Sequence, residues 1–174
     1  MQFGNSRKLL AVALVACSPL LQGGAKPGAD FNQRLLEAQN SARSAIGVAP
    51  LVWDDALAAD ASVWAKELAA TGRFEHSPDE PGKPVEGENL WAGTPHAFSP
   101  EKMIGLWTAE KKDYRPGIFP NNSRSGDVEN VGHYTQVIWR STHSVGCATA
   151  DGRYEQFLVC RYSEAGNVYG ERPA

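Results

Sequence analysis

The chain has 174 residues, with 17 Lys and Arg against 20 Asp and Glu, a formal net charge of −3, and 42% hydrophobic residues. A chain of this size buries enough surface to fold as one domain. Mild acidity without a run of Lys or Arg leaves no footprint for phosphate backbones and excludes nucleic acid as a partner; the composition also lies outside the disordered and collagen-like ranges.

Arg7 and Lys8 precede the apolar run Leu9 to Ala16, a basic step into a stretch too short to span a bilayer as a settled helix, and this reads as an export signal within residues 1–25. Two exits compete. The small residues Gly23-Gly24-Ala25 suit ordinary cleavage after Ala25, whereas Leu14-Val15-Ala16-Cys17 resembles a bacterial lipoprotein box cut before Cys17. The second exit makes Cys17 a lipidation candidate and accounts for an odd cysteine among three. Cutting there removes two cations and no acid, which carries the charge of −3 to −5. No second hydrophobic stretch follows, so residues 26–174 are expected to hold one domain without a transmembrane segment.

After a Pro/Gly lead, Phe31, Leu35, Ala38, Ala42 and Ile46 recur at helical spacing and stop at Gly47. Val48 to Trp53 reads as a connection. Asp54 or Asp55 caps a second helix whose Leu57, Ala61, Trp64 and Leu68 form one stripe before Gly72. Residues 72–98 show no helical period and read as a long irregular segment. Ser99-Pro100-Glu101 opens a third helix with Met103, Trp107 and Glu110 on one face. Another loop, 113–131, leads to a short fourth helix over His133–Trp139.

Two strands close the chain, Val145–Thr149 and Gln156–Tyr162, the second apolar on both faces as an interior strand should be. A two-residue Asp151-Gly152 turn sets Cys147 opposite Gln156. A Cys147–Cys160 disulfide instead requires the two Cα atoms within about 7 Å and hence a four-residue loop, Gly152 to Glu155. An exported chain favours that pairing.

The four histidines include no metal-ligand pair such as His-Glu-x-x-His. His76 and Glu88 fall in the irregular segment and His133 opens the fourth helix, places where function concentrates. Glu110 directs a carboxylate toward the packed side of its helix, where an acid needs a partner. A serine hydrolase is disfavoured, because Ser77 merely follows His76 and no G-x-S-x-G elbow exists. The five tryptophans read as packing residues.

The segment Gly132-His-Tyr-Thr-Gln-Val-Ile-Trp-Arg-Ser-Thr142, with Val145-Gly-Cys-Ala148 and Leu158-Val-Cys-Arg-Tyr-Ser-Glu-Ala-Gly-Asn167, resembles the signature segments of the CAP superfamily, the cysteine-rich secretory, antigen 5 and pathogenesis-related proteins. Gly87-Glu-Asn-Leu90 and Gln39-Asn-Ser-Ala-Arg43 are similar to two further motifs of that family, which usually has His where Gln39 stands. The ending Gly166 to Pro173 is similar to that of the plant pathogenesis-related members. The likeness spans about residues 30–174.

It implies an α+β fold, a three-layer α-β-α sandwich around a small, mainly antiparallel sheet with the last two strands near its centre. It also implies a cavity in which His76, Glu88, Glu110 and His133 meet. Two imidazoles and two carboxylates suit zinc or another divalent metal. The leading functional reading is a non-catalytic exported binding module, secreted, periplasmic or lipid-anchored, with an extracellular protein or lipid as partner. Two alternatives stand beside it: a metal-dependent hydrolase using the same four residues, and a lipid- or sterol-binding protein in which they are structural. General hydrolysis is not an accepted property of the family.

Overall fold

A computed structural model describes residues 30–79 and 81–174. The export signal, both cleavage sites and Cys17 lie outside the described residues.

The first helix, α1 (Phe31–Ser44), starts where Asp30 accepts the Gln33 amide, and its last turn gives way to Gly47 at φ 71°. A two-residue strand, β1 (Val52–Trp53), follows. Helix α2 (Asp55–Thr71) is capped by Asp54, whose carboxylate accepts the amides of Ala56 and Leu57, and it stops at Gly72 in the left-handed region. Next come β2 (Gly87–Gly93) and α3 (Pro100–Thr108), the latter with Ser99 as cap. A 3-10 turn, Ala109–Lys112, extends α3, and a short α4 (Gly132–Val137) precedes the strands β3 (Ser144–Asp151) and β4 (Gln156–Ser163).

The sheet runs β1-β3-β4-β2. β4 pairs antiparallel with β3 and β2, whereas β1 joins β3 in parallel, so the sheet is mixed with its two last strands interior. Cys147 lies opposite Cys160 and Asp151 opposite Gln156, which leaves the four-residue loop that the disulfide requires; the Cys147–Cys160 bond is formed.

Alternation along β4 divides the core. Leu158, Cys160 and Tyr162 face a layer containing Leu35, Met103, Trp107 and Ile138, while Phe157 and Val159 face Ala61, Ala65 and Leu68 of α2. The alanines let α2 lie close on the sheet, and Gly146 completes that approach: a Cβ there would collide with the backbone of Asp54 and Ala58.

Three expectations change. The connection before α2 contains β1, held by Val52 and Asp54 amides that donate to the carbonyls of His143 and Val145 at 2.9 and 3.0 Å. The irregular segment contains β2. Its sequence, Gly-Glu-Asn-Leu-Trp-Ala-Gly, has no β-branched residue and two terminal glycines, so tertiary pairing along all of β4 overrides weak local preference. Glu110 also sits on the 3-10 turn rather than on α3 itself.

Candidate functional site

The four residues form two His–Glu pairs beside β2. In the first, Glu88 on β2 is nearly buried, with 7% of its side chain exposed, and His76 on the segment after α2 is 67% exposed. Glu88 Oε1 lies 2.6 Å from His76 Nδ1 and accepts the Ser77 amide at 3.1 Å. Glu88 Oε2 faces Nε of Arg161, its cross-strand neighbour on β4, at 3.2 Å without hydrogen-bond alignment. Arg161 also reaches Glu86 at 3.6 Å.

The second pair joins the 3-10 turn to α4. Glu110 Oε1 lies 2.6 Å from His133 Nδ1, and Oε2 accepts the Tyr134 amide at 3.0 Å. The His133 ring lies flat over Trp107, with centroids 5.9 Å apart and planes 3° from parallel. Trp107 is itself fixed by its indole N–H, which donates to the Leu90 carbonyl at 3.0 Å.

An ionised carboxylate only accepts, so each imidazole places its proton on Nδ1 and leaves Nε2 as its free nitrogen. The hydrogen bond to Glu88 raises the His76 pKa above its ordinary value against the opposing effect of burial. Burial pushes the Glu88 carboxyl upward, but the His76 hydrogen bond, the Arg161 charge and the Ser77 amide outweigh it and hold the group below the usual carboxylate range.

A cavity of about 540 Å³ opens beside the first pair, lined by Trp64, His76, Glu88, Gln136, Arg161 and Asn167 among others; Glu110 and His133 are not in its wall. Glu88 shares its face of the sheet with Leu90 and α2, while Asn89 and Trp91 face the α1–α3–α4 layer to which His133 belongs. Among the described residues, no group of three or more His, Cys, Asp or Glu side chains is placed to hold a metal ion.

Residues outside the expected four complete this region. Arg161 carries a signal in the sequence, a charge inside an otherwise apolar interior strand. Trp64 reads as core from its helical spacing, yet it is half-buried, lines the cavity and donates its indole N–H to the Glu75 carbonyl at 3.1 Å. Gln39 is fully buried and accepts the Tyr162 hydroxyl at 2.7 Å, so helix one keeps a satisfied polar contact at the position where the family has His.

The sequence profile of the cysteine-rich secretory protein family, CAP, matches residues 36–162. The chain belongs to the CAP family. Curated relatives of this CAP chain include a type PR-1 pathogenesis-related protein of Sambucus nigra, 37% identical over 95% of each chain. Pathogenesis-related protein 1C of Nicotiana tabacum is 39% identical over 81% of this chain and 79% of its own. The CAP fold is shared with NaASP2, solved with Zn2+, at a TM-score of 0.68 and 24% identity over 87% of this chain and 89% of that one. BmVAL-1 is similar at a TM-score of 0.67 and 24% identity, over 87% and 84% of the two chains. No helix among the described residues of this CAP protein is long and apolar enough to cross a membrane.

Proposed function

We propose that this CAP protein is exported and acts as a non-catalytic binding module whose His76 and His133 hold a divalent metal of the zinc type through Nε2, with Glu88 and Glu110 behind them. The observation that carries this reading is the matched pair of 2.6 Å contacts from carboxylate to Nδ1. Metal-binding histidines commonly give their second nitrogen to a carboxylate, which fixes the tautomer and strengthens the ligand. The donor chemistry therefore fits as two imidazoles, with solvent or partner atoms completing the coordination. The structure of NaASP2 with Zn2+ supports the choice of metal.

The carboxylates argue for binding over hydrolysis. Glu88 Oε1 and both Glu110 oxygens already accept hydrogen bonds, and Glu88 Oε2 lies against the Arg161 cation at 3.2 Å, so these groups serve as orienters rather than as the free base that a metal-bound water requires. The cavity at Trp64 and His76 is the proposed seat for a group of an extracellular protein or lipid. Kinship with a secretory family supports export; the mass of the mature N-terminus distinguishes cleavage after Ala25 from lipidation at Cys17.

Calorimetric titration of zinc into the native protein and into His76→Ala and His133→Ala tests the metal reading. Saturable binding is expected in the first and a loss of at least tenfold in each variant. Equal, negligible heat in all three overturns it. Turnover of a peptide, ester or glycan panel above the His133→Ala control overturns the non-catalytic part.

A further inference from the structure

Three consecutive residues of β2 link to the two histidines, Glu88 directly at a ring and the other two through the His133 backbone and Trp107. Glu88 holds the His76 ring, the Leu90 carbonyl holds the tryptophan on which His133 stacks, and Asn89 between them donates its side-chain amide to the His133 carbonyl at 3.1 Å. Asn89 is buried, and the same amide nitrogen reaches the Tyr162 hydroxyl at 3.3 Å. Tyr162, wholly buried on β4, donates that hydroxyl to Gln39 Oε1 at 2.7 Å. Gln39 Nε2 in turn lies 3.9 Å from the sulfur of Cys147 in the disulfide.

We propose that Asn89, Tyr162 and Gln39 form a buried positioning relay that fixes His133 relative to His76, with Gln39 supplying the acceptor on which the relay ends. The inference rests on the proposed role of the two histidines but also makes a claim about the metal-free protein.

The polar chemistry explains why such a relay sits in an otherwise apolar layer. A buried hydroxyl or amide without partners keeps the full cost of leaving water, so three of them persist only when mutually satisfied. The hydroxyl can turn either way. Asn89 offers it only N–H groups, which makes the Tyr162 oxygen the acceptor there and sends its proton to Gln39. Asn89 is thereby held in the one amide orientation that presents N–H to His133; the flipped amide would set carbonyl against carbonyl. Gln39 is neutral at every pH, so the acceptor at the end of the relay does not titrate. The Tyr162 hydroxyl does not ionise near neutrality either, because burial pushes its pKa far upward.

Glu110 and Trp107 hold the His133 ring and Asn89 holds its backbone carbonyl, so loss of the relay is expected to shift the His133 backbone and with it the ring's surroundings, while His76, held by Glu88, stays in place. The test is long-range nitrogen–proton NMR of the imidazoles in metal-free protein, combined with zinc titration, for Tyr162→Phe, Gln39→Leu and Gln39→His. Tyr162→Phe and Gln39→Leu should shift the His133 resonances, leave those of His76 in place and weaken zinc binding about tenfold. Gln39→His keeps an acceptor for the hydroxyl and should preserve the native His133 signals. Unchanged His133 signals in both disruptive variants overturn the relay, as do equal shifts at His76, which report general loosening. Should zinc fail to bind even the native protein, the metal reading falls and the metal-free spectra still decide the relay.

Discussion

Two arginines, Arg43 and Arg161, lie largely out of solvent against the sheet and helices of this protein, and their surroundings differ. Arg43 of α1 is fully buried and donates to four carbonyls, those of Ala49, Val137, Trp139 and Thr142, at 2.6–2.9 Å. Burial lowers its pKa to about 10, opposed by Tyr162 and reinforced by Arg140, so the guanidinium stays charged at neutral pH. Arg161 of β4 is 15% exposed and meets two carboxylates at 3.2 and 3.6 Å, the nearer without hydrogen-bond alignment. One cation is spent on closing the chain segment after α4. The other lies in the wall of a cavity with its pairing incomplete. Hydrogen-bond satisfaction separates the part of the molecule that holds the fold from the part available to a ligand.

The largest expected effect is at the satisfied cation. Arg43→Met leaves four carbonyls without their donor and should lower unfolding free energy by about 3–5 kcal/mol, read from urea melts. A loss below about 1 kcal/mol would break the contrast. Next comes the cross-link. Replacing Cys147 and Cys160 together by Ala, which opens the 13-residue separation between them, should cost about 3 kcal/mol in the same melts.

Arg161→Gln is expected to cost only about 1 kcal/mol or less, because it removes a misaligned pair and leaves Glu88 its bonds from His76 and Ser77. If it destabilised as much as Arg43→Met, the cavity wall would be as structural as the core.

The smallest effect is the pH dependence of the His76–Glu88 pair. The raised His76 group stabilises fully below its unfolded value of 6.5, and that contribution fades as pH rises through the folded value. The depressed Glu88 group stabilises fully above its unfolded value of 4.5, and its contribution fades as pH falls through the folded value. Urea midpoints of the native protein should therefore exceed those of His76→Gln by most between about pH 4.5 and 6.5. Zinc uptake runs the other way. It requires His76 without its second proton, so affinity should climb as pH rises through the raised His76 value.

The same division governs what was legible in the amino-acid order. Helix ends are written locally, in Asp30, Asp54, Ser99 and the left-handed Gly47 and Gly72, and the register of β3 on β4 follows from two cysteines and a loop length. β2 was not legible, because its stability comes from a neighbour far along the chain. Nor was the grouping of the four candidate residues. Motif likeness brings them to one cavity, and contacts between distant segments order them as two His–Glu pairs, His76 with Glu88 and His133 with Glu110. Arg43 is part of a motif, yet its role depends on carbonyls some hundred positions away.

Crystals of the native protein grown with zinc and measured across the zinc absorption edge would show whether one metal ion bridges the two histidines. One strong anomalous peak is expected in contact with Nε2 of both His76 and His133, with Glu88 and Glu110 still on the Nδ1 side of each ring. Absence of a peak there, or zinc held by either histidine alone, would contradict that bridge.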